Sequence, residues 1–522
     1  MTCIRRNERE QTADDARRTT DRASRSSKRH GLTSVACRQL SIGAIALFAT
    51  ATDLPAQGFQ VNEHGSCVVG RAGTGVAKSC DDASAIWFNP AGIAGANGWT
   101  ISLGATIIAA SGGFTDDFTQ RTTDLDVSPI PVPHLYATYG ITDRFAAGLG
   151  IYLPYGLGTR WPLDTSLTAV ELEASGAFAG RFIGYNSNLR SIYVQPTIAY
   201  HVNDWLDVGA GFVYVNGSVD LNQRADLSAF EIPGGGGLTF GSIGIPVRSD
   251  FSNANLEAHG ATGYGGHFGL TIKPTDRLHI GARYLSSVKL DYSGRVDFEP
   301  VATGIVLPPQ NPIALADPSG QLNPDAPLPV DLVLIIADLY SEGRPLADST
   351  ASTSITMPDQ ITIGVAYDVT DKLTLLGDWQ WVRWSVFDTL TLNFDNAATP
   401  TITLVENYKN TNAFRFGAEY VLNPRWTLRG GYLHHGPATP DETVTPLLPE
   451  SARNEFTAGV GMYLSQTLRL DLAYQYIRQD KRRGRVEEAP PGTAATVVVS
   501  NINSGFYSFT AHLFGATVTV RF

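Results

Sequence analysis

Apolar and polar side chains alternate along most of the chain after Trp99. Between Leu468 and Tyr476, for example, every second residue is large and apolar, and the residues between them are Arg, Asp, Ala and Gln. Successive side chains of a β-strand point to opposite faces, so such a segment has one apolar and one polar face. Alternation over so many residues, with aromatic residues towards the ends of the apolar face, is typical of membrane-spanning barrel strands. The alternative is a soluble β-sandwich, whose strands are usually shorter, about five or six residues.

A short polar break followed at once by a bulky apolar residue recurs along the chain and predicts tight hairpin turns. Six such breaks lie at residues 142–145, 203–205, 274–278, 370–373, 423–426 and 465–468. Six turns at one rim imply seven hairpin connections at the other if both ends of the barrel lie on the short-turn side. The sequence therefore predicts an all-β fold, a fourteen-stranded antiparallel transmembrane β-barrel. Its strands are expected near residues 97–111, 132–141, 144–153, 189–203, 205–222, 257–273, 277–298, 351–368, 372–395, 401–422, 425–436, 451–464, 467–481 and 505–522.

Long loops are expected on the opposite rim, at residues 112–131, 154–188, 223–256, 299–350 and 482–504. Long outer loops and short periplasmic turns are usual in bacterial outer-membrane barrels. Two segments of these loops are helix candidates: residues 330–342 are strongly apolar but too short to span a bilayer, and residues 165–182 carry a weaker pattern. Either they pack over the barrel mouth, or they offer an apolar surface that captures substrate. The capture residues would be Leu332, Leu334, Ile335 and Leu339.

The chain begins with a hydrophilic, Arg-rich segment, which is followed by an apolar run from residue 40 to residue 51. This run is far shorter than the roughly 20 residues of a transmembrane helix, and the small residue Ala56 follows it. The pattern predicts a signal peptide over residues 1–56, cut near Ala56. We therefore expect an exported protein in which a separate N-terminal segment, residues 57–96, precedes a barrel formed by residues 97–522.

The amino-acid composition is typical of a barrel wall and argues against other classes of protein, such as nucleic-acid-binding proteins. Only 17% of the residues are charged, and 52 of 522 are glycine. The balance of 39 basic against 50 acidic residues argues against a nucleic-acid partner, which favours a basic surface. The sequence has no Gly-x-Ser-x-Gly motif or phosphate loop, and no nucleophile motif lies near His434 and His435. No enzymatic activity, cofactor or metal is expected.

Of the four cysteines, Cys3 and Cys37 would leave with the signal peptide, whereas Cys67 and Cys80 would remain. In an exported protein a lone pair of cysteines is more often a disulfide than a metal site, and no His/Cys spacing here resembles a zinc site. A Cys67–Cys80 disulfide is therefore expected.

The segment from Gly58 to Gly92 is rich in Gly, Ala and Ser, and has neither a helical stripe nor a long strand alternation. Such a segment cannot bury a core by itself. It resembles the N-terminal hatch of the FadL family of bacterial outer-membrane transporters for hydrophobic compounds. The resemblance lies in Gly58-Phe59-Gln60, Asn62-Glu63, Gly70-Arg71-Ala72, Gly75, Asp81-Asp82-Ala83-Ser84 and Asn89-Pro90-Ala91-Gly92, and the strand pattern extends it to Phe522.

The resemblance implies a monomeric outer-membrane barrel that is plugged by this hatch and transports hydrophobic small molecules passively. A fourteen-stranded barrel is wide enough to leave a lumen, which the hatch would occupy. The hatch glycines either permit a movement that opens a path or only permit close packing. The aromatic carboxy-terminal residue, Phe522, resembles the signal read by the barrel-assembly machinery. The expected partners are this machinery, outer-membrane lipid and a hydrophobic substrate.

The end of the third predicted strand carries residues that disturb regular pairing. Proline removes a ladder donor and glycine weakens pairing, so the strand is expected to kink or bulge here. The Tyr-Gly-Leu part resembles the family segment at an inward kink that creates a lateral opening, through which cargo would pass into lipid. The alternative is an ordinary loop start. The residues concerned are Pro154, Tyr155, Gly156, Leu157 and Gly158.

The sequence leaves the identity of the transported molecule open. Fatty-acid members of the family have basic residues on the fifth and ninth strands, where Asn216 and Thr391 stand in this chain, although Arg224 and Arg383 are nearby. Long-chain fatty acids and aromatic hydrocarbons therefore both remain candidates. The rival functions are a general porin for polar solutes and an outer-membrane enzyme or surface-binding protein. Charged residues expected on the lumen side are interpreted as a structural network between strands. They are Arg283, Asp291, Arg415, Glu419, Arg429, Arg469 and Asp471.

Overall fold

A computed structural model of the chain describes residues 58–232, 237, 239–305, 336–484 and 502–522. The predicted signal peptide and the residues Leu332, Leu334 and Ile335 lie outside this part. Most of the described residues form antiparallel strands of one sheet. The strands are β1 Trp99–Asp116, β2 Thr122–Asp124, β3 Ile130–Gly140, β4 Phe145–Arg160, β5 Asn186–Asn203, β6 Leu206–Asp226, β7 Asp250–Thr275, β8 Leu278–Leu285, β9 Val288–Pro300, β10 Ser349–Met357, β11 Gln360–Asp368, β12 Leu373–Val382, β13 Thr389–Phe394, β14 Ile402–Val405, β15 Thr411–Asn423, β16 Trp426–His435, β17 Arg453–Tyr463, β18 Leu468–Gln479, β19 Arg482–Arg483 and β20 Gly505–Arg521.

The sheet closes on itself because the first strand pairs with the last. β1 and β20 are antiparallel neighbours from Thr100–Arg521 to Asp116–Gly505. Four barrel strands are each interrupted once and consist of β8 with β9, β10 with β11, β12 with β13, and β14 with β15; β2 and β19 are short extensions. The result is the predicted fourteen-stranded barrel, and all six predicted tight turns connect neighbouring strands.

The alternation predicted from the sequence separates an outer from an inner face. On β18 and β20 the apolar residues Leu472, Phe514 and Val518 are exposed on the outside, whereas Asp471 and Thr517 are buried inside. The length of the uninterrupted barrel strands varies strongly around the wall, from 10 residues in β16 to 26 residues in β7. The barrel therefore has an apolar outer band and a polar lumen, as in outer-membrane proteins.

One predicted lumen residue, Asp291, lies on the outside. The sequence suggested a single alternation from residue 277 to residue 298, but the strand breaks between β8 and β9 at Ser286 and Ser287. Leu285 is buried before the break and Leu290 is buried after it, so the inner face moves from odd to even residue numbers. This shift turns Asp291 outward, where its Oδ1 lies 2.6 Å from Lys289 Nζ.

The third barrel strand is longer than predicted. β4 continues to Arg160, so residues 154–158 belong to the strand and not to the start of a loop. The prediction was wrong because β5 supplies ladder partners for β4 as far as Arg160–Asn186, with a register shift between Tyr152 and Tyr155. Strand β4 therefore contains Pro154, Gly156 and Gly158, with an irregular register between Tyr152 and Tyr155.

The helices are few and short, and none among the described residues is long and apolar enough to cross a membrane. Within the described ranges three are α-helical: α1 Ser66–Val69, α2 Ala85–Phe88 and α3 Ala169–Ser175. Short 3-10 helices lie at Pro90–Ile93, Ala179–Phe182, Leu227–Ala229, Phe240–Ile243, Ala337–Tyr340, Trp384–Val386 and Asp441–Thr443. The candidate helix at 165–182 is thus α3 followed by a 3-10 turn. In the candidate at 330–342, the described part includes one 3-10 turn, and Leu339 is buried in an outer-loop cluster with Leu227, Phe240 and Phe251.

Candidate transport path

Residues 58–96, which we call the hatch segment, lie inside the barrel and are largely buried. The turn Asn89-Pro90-Ala91 rests directly against the wall. Asn89 Nδ2 donates to Val76 O at 2.7 Å and to Leu270 O of β7 at 3.0 Å, and its Oδ1 accepts from Ala91 N at 3.1 Å. A Cβ atom on Gly269 would lie 2.0 Å from Asn89 Oδ1, so this wall position must be glycine for the turn to dock.

The middle of the hatch segment is fixed by a covalent and an ionic connection. Cys67 and Cys80 form a disulfide across a Cα separation of 6.3 Å, as the sequence predicts. Arg71 is buried, with Nη1 3.5 Å from Glu419 Oε2, and Arg429 Nε donates to the same carboxylate oxygen at 2.6 Å. These contacts tie the hatch segment to β15 and β16.

The predicted charge network continues along the wall. Arg429 Nη1 donates to Asp471 Oδ1 at 2.8 Å, and Arg469 Nη2 donates to the same oxygen at 3.0 Å. Arg283 Nη1 donates to Trp87 O of the hatch segment at 2.7 Å, and Arg415 Nη2 donates to Gln380 Oε1 at 2.5 Å. The charges therefore connect strands to each other and to the hatch segment.

Two positions of the hatch segment require glycine, each for a different structural reason. Gly70 faces Gly459 of β17, and a Cβ atom on Gly70 would lie 2.9 Å from Gly459 Cα, so close packing requires it. Gly73 has φ +77°, a backbone conformation that favours glycine. Close packing and unusual backbone geometry thus each account for one of these positions.

Buried ionisable groups precede the disulfide. Glu63 Oε2 accepts from Asn62 N at 2.8 Å and Oε1 accepts from Gln475 Nε2 at 3.1 Å; burial raises the pKa of Glu63. Burial also lowers the pKa of His64 to about 3, so its ring is neutral. The ring lies between Trp87 and Tyr152, with centroid distances of 5.5 and 5.6 Å.

An aromatic cluster surrounds the start of the hatch segment. Phe59 is only 2% exposed, and its ring centroid lies 4.7 Å from Trp384, 5.5 Å from Phe387 and 6.3 Å from Tyr155. Trp384 lies on the ninth barrel strand, between β12 and β13, and Tyr155 lies on the third. Two bent wall strands and the hatch segment therefore meet in the lumen.

The ladder between β3 and β4 stops partway along the wall. It runs from Gly140–Ala146 to Leu135–Ile151, and beyond that pair no ladder bond between these strands is found among the described residues. The next contact across the gap is Asp126 N donating to Arg160 O at 2.9 Å. We call this interval the third-strand break.

In this interval the edge of β4 pairs with the hatch segment. Val61 N donates to Pro154 O at 2.8 Å, and Gly156 N donates to Phe59 O at 2.7 Å. Leu157 and Gly158, further along β4, line a cavity of 20 Å³ together with Phe509. The five residues predicted from the sequence, 154–158, thus lie together along the break.

The opposite edge of the break is shaped by two prolines that the sequence reasoning missed. Gly140 N donates towards β1, to Gly98 O at 3.0 Å, and Ile141 N donates towards β4, to Phe145 O at 2.8 Å. Because directions alternate along a strand, odd-numbered β3 residues direct their N–H groups towards β4. In the break these residues are Pro131 and Pro133, which have no N–H group. The Pro-Val-Pro pattern was the available signal, since proline in a sheet marks a free edge.

An apolar cavity of 810 Å³ lies at the outer ends of the longest strands. Leu221 of β6, Leu256 of β7, Phe298 of β9 and Phe394 of β13 line it, and Phe230 is contributed by the loop after β6. A cavity of this size and character suits a hydrophobic ligand.

Of the residues considered for binding a carboxylate, Arg224 lines this cavity, whereas Asn216, Thr391 and Arg383 do not. Asn216 pairs with Thr262, on the face opposite the fully buried Val215. Arg224 Nε lies 3.9 Å from Asp250 Oδ1, and Arg383 Nε donates to Asp359 Oδ1 at 2.5 Å. Both arginines therefore have a carboxylate nearby.

Comparisons with known proteins agree with this architecture. Residues 46–522 match the family described as "Outer membrane protein transport protein (OMPP1/FadL/TodX)". The chain is 23% identical over 473 residues to outer membrane protein P1 of Haemophilus influenzae, covering 84% of this chain and 90% of that protein. It is 22% identical over 449 residues to the long-chain fatty acid transport protein of Escherichia coli K12, covering 83% and 90%.

Solved structures show the same fold. A FadL homologue from Pseudomonas aeruginosa superposes with a TM-score of 0.68 at 20% identity, covering 89% of this chain and 100% of that chain. The toluene transporter TodX of Pseudomonas putida gives a TM-score of 0.61 at 17% identity, covering 90% and 100%. The closed barrel with an occupied lumen defines an outer-membrane transport protein. The family match spans most of the sequence, so the chain belongs to the OMPP1/FadL/TodX family and resides in the bacterial outer membrane.

Proposed function

We propose that this protein carries hydrophobic small molecules, long-chain fatty acids or related hydrocarbons, passively across the outer membrane and releases them sideways into lipid. The named activities of its relatives, fatty acid transport and toluene transport, supply the substrate class. The third-strand break is the proposed exit, and the apolar outer cavity is the proposed site of capture.

The observation that carries this proposal is the edge of β4 in the break. Instead of bonding to β3, Pro154 and Gly156 bond to the hatch segment at Val61 and Phe59. Movement of residues 59–61 would remove the only backbone partners found on this edge among the described residues between Ile151 and Arg160, and would expose the break to the lumen. A sideways exit suits apolar cargo, since each Å² kept out of water is worth about 25 cal/mol.

Aromatic hydrocarbons are the second candidate cargo. Arg383 is paired with Asp359, and the outer cavity is lined mainly by apolar side chains. Uptake of a labelled long-chain acid and of toluene by the same cells separates these cargoes.

A closed-wall variant tests the exit. Pro131→Thr and Pro133→Thr restore two donors on β3, while Pro154→Thr and Gly156→Val favour strand pairing on β4. We expect uptake to fall sharply while binding of the labelled substrate persists, in cells with equal surface levels of folded protein.

The matched control carries Ala137→Thr and Leu149→Val, a pair already within the β3–β4 ladder, and should transport normally. Normal uptake by the closed-wall variant would mean that cargo leaves elsewhere. A large, steady ion conductance of the reconstituted wild type would instead favour a general porin.

A further inference from the structure

A second interval without ladder bonds lies between the eighth and ninth barrel strands. Above it, β10 pairs with β13 at Ala351–Phe394 and Ser352–Asn393. Below it, Arg383 N donates to Asp359 O at 3.0 Å. Among the described residues no ladder bond joins residues 353–358 to residues 384–392.

The chain itself explains the interval. The ninth strand has more residues between the two closing pairs than the eighth, and the surplus forms the 3-10 helix Trp384–Val386. Trp384 from this helix is fully buried against Phe59. On the other edge, Pro358 lacks an N–H group. The wall therefore cannot close by regular pairing here.

A polar cavity of 450 Å³ occupies this interval, and we call it the polar cleft. Its lining is rich in hydroxyl and amide groups and contains one carboxylate. The lining residues are Asp291, Tyr292, Ser352, Thr353, Ser354, Thr389, Thr391 and Asn393. The small cavity beside the third-strand break has a mixed lining, in which Leu157 and Phe509 lie together with Glu450 and Arg453.

The cleft crosses the plane of the wall, because side chains of both faces line it. Ser354 and Asp291 face outward and are hydrogen-bonded at 2.5 Å, whereas Tyr292 and Thr353 are 2% and 8% exposed. Thr353 Oγ1 has no hydrogen-bond partner among the described residues. Buried polar groups of this kind are normally satisfied by water.

The position of the cleft suits water and not lipid. The outward side chains at its rim include Lys289 and Asp291, both more than 60% exposed, and charged side chains are costly on the lipid face of a barrel. On the neighbouring eighth strand, the apolar outward residues Ile361 and Ile363 begin only below the cleft. The cleft therefore opens just above the apolar band.

We propose that the polar cleft is an aqueous opening through which water enters and leaves the lumen. This role rests on the proposed transport of apolar cargo, which vacates space that must be refilled. Apolar cavities stay dry, whereas a polar cleft of this size holds on the order of ten water molecules. Water and cargo then use different openings in the wall.

Cysteine accessibility tests the opening without measuring transport. Ile355→Cys places a thiol on the buried inner side of β10, behind the cleft. The probe is a positively charged, membrane-impermeant methanethiosulfonate added to the protein in lipid nanodiscs. We expect this thiol to react about tenfold or more faster than one introduced by Ala366→Cys on β11, because a thiol without hydration ionises less.

Filling the cleft with Ser354→Leu and Thr391→Leu should slow labelling of the Ile355→Cys thiol about tenfold. It should also lower the maximal uptake rate of a labelled hydrocarbon without changing its half-saturating concentration. Slow labelling before filling, or labelling unchanged by filling, would overturn the proposal. The closed-wall variant at the third-strand break should still label rapidly, so a failure of the sideways exit is distinguishable from a failure of the water opening.

Discussion

Removal of the Phe59 ring should release the start of the hatch segment without disturbing the barrel. Phe59 is almost fully buried and contacts rings from the third and ninth strands. Truncating a buried phenylalanine to alanine costs about 3–5 kcal/mol. If this cost is confined to the hatch contact, the opening equilibrium of the segment rises by about 10²- to 10⁴-fold.

The amides of Val61 and Gly156 report this opening directly, since each donates across the contact between the hatch segment and β4. In Phe59→Ala, hydrogen exchange at both amides, measured by mass spectrometry in nanodiscs, should accelerate by that factor. The amide of Phe416, within the β12–β15 ladder, should exchange at the wild-type rate.

Phe118→Ala is the matched control, because Phe118 is 64% exposed in an outer loop and its truncation should change neither amide. Unchanged exchange at Val61 and Gly156 in Phe59→Ala would refute the reasoning, because the backbone bonds alone would then hold the segment in place.

Replacing both disulfide partners, by Cys67→Ser and Cys80→Ser, should destabilise the hatch segment by about 3 kcal/mol in the chain-entropy model. Hydrogen exchange of its amides, followed as a function of denaturant concentration, measures this change. Equal midpoints for the variant and the wild type would contradict the prediction. Arg71→Met leaves the partly buried Glu419 carboxylate with Arg429 as its remaining cation, so it should loosen the same segment by about 1–3 kcal/mol. Restoration of wild-type exchange by Arg71→Lys alone would show that the charge, and not the guanidinium shape, matters. Leu334→Asp with Ile335→Asp should reduce uptake at low substrate concentration and leave barrel assembly intact, whereas unchanged kinetics would assign this segment to packing.

The repeating parts of the fold were predictable because they follow from local rules. Alternation and the six polar turns gave the number of strands, since each depends only on neighbouring residues. The disulfide partners and the docking turn Asn89-Pro90-Ala91 were also identified. In each case the chemistry is contained within a short stretch of sequence.

The interruptions were harder to predict because they depend on the neighbouring strand. The bend at Trp384 arises from surplus residues relative to the eighth strand, a mismatch that no single stretch reveals. The outward turn of Asp291 follows from one shift at Ser286 and Ser287, which a continuous alternation conceals. Pro131 and Pro133 were visible, but their effect required knowing which edge of β3 faces β4.

The unequal height of the wall determines where a molecule first meets this protein. With a rise of about 3.3 Å per residue and a tilt of about 40°, the 26 residues of β7 climb roughly 65 Å. The apolar band of such barrels is only about 25 Å tall, so one side of the barrel stands as a tall collar above the membrane. The apolar cavity is lined by Leu256, near the outer end of β7, and therefore lies on this collar. Under the proposed function, a hydrophobic molecule would therefore enter the protein well above the apolar band of the membrane.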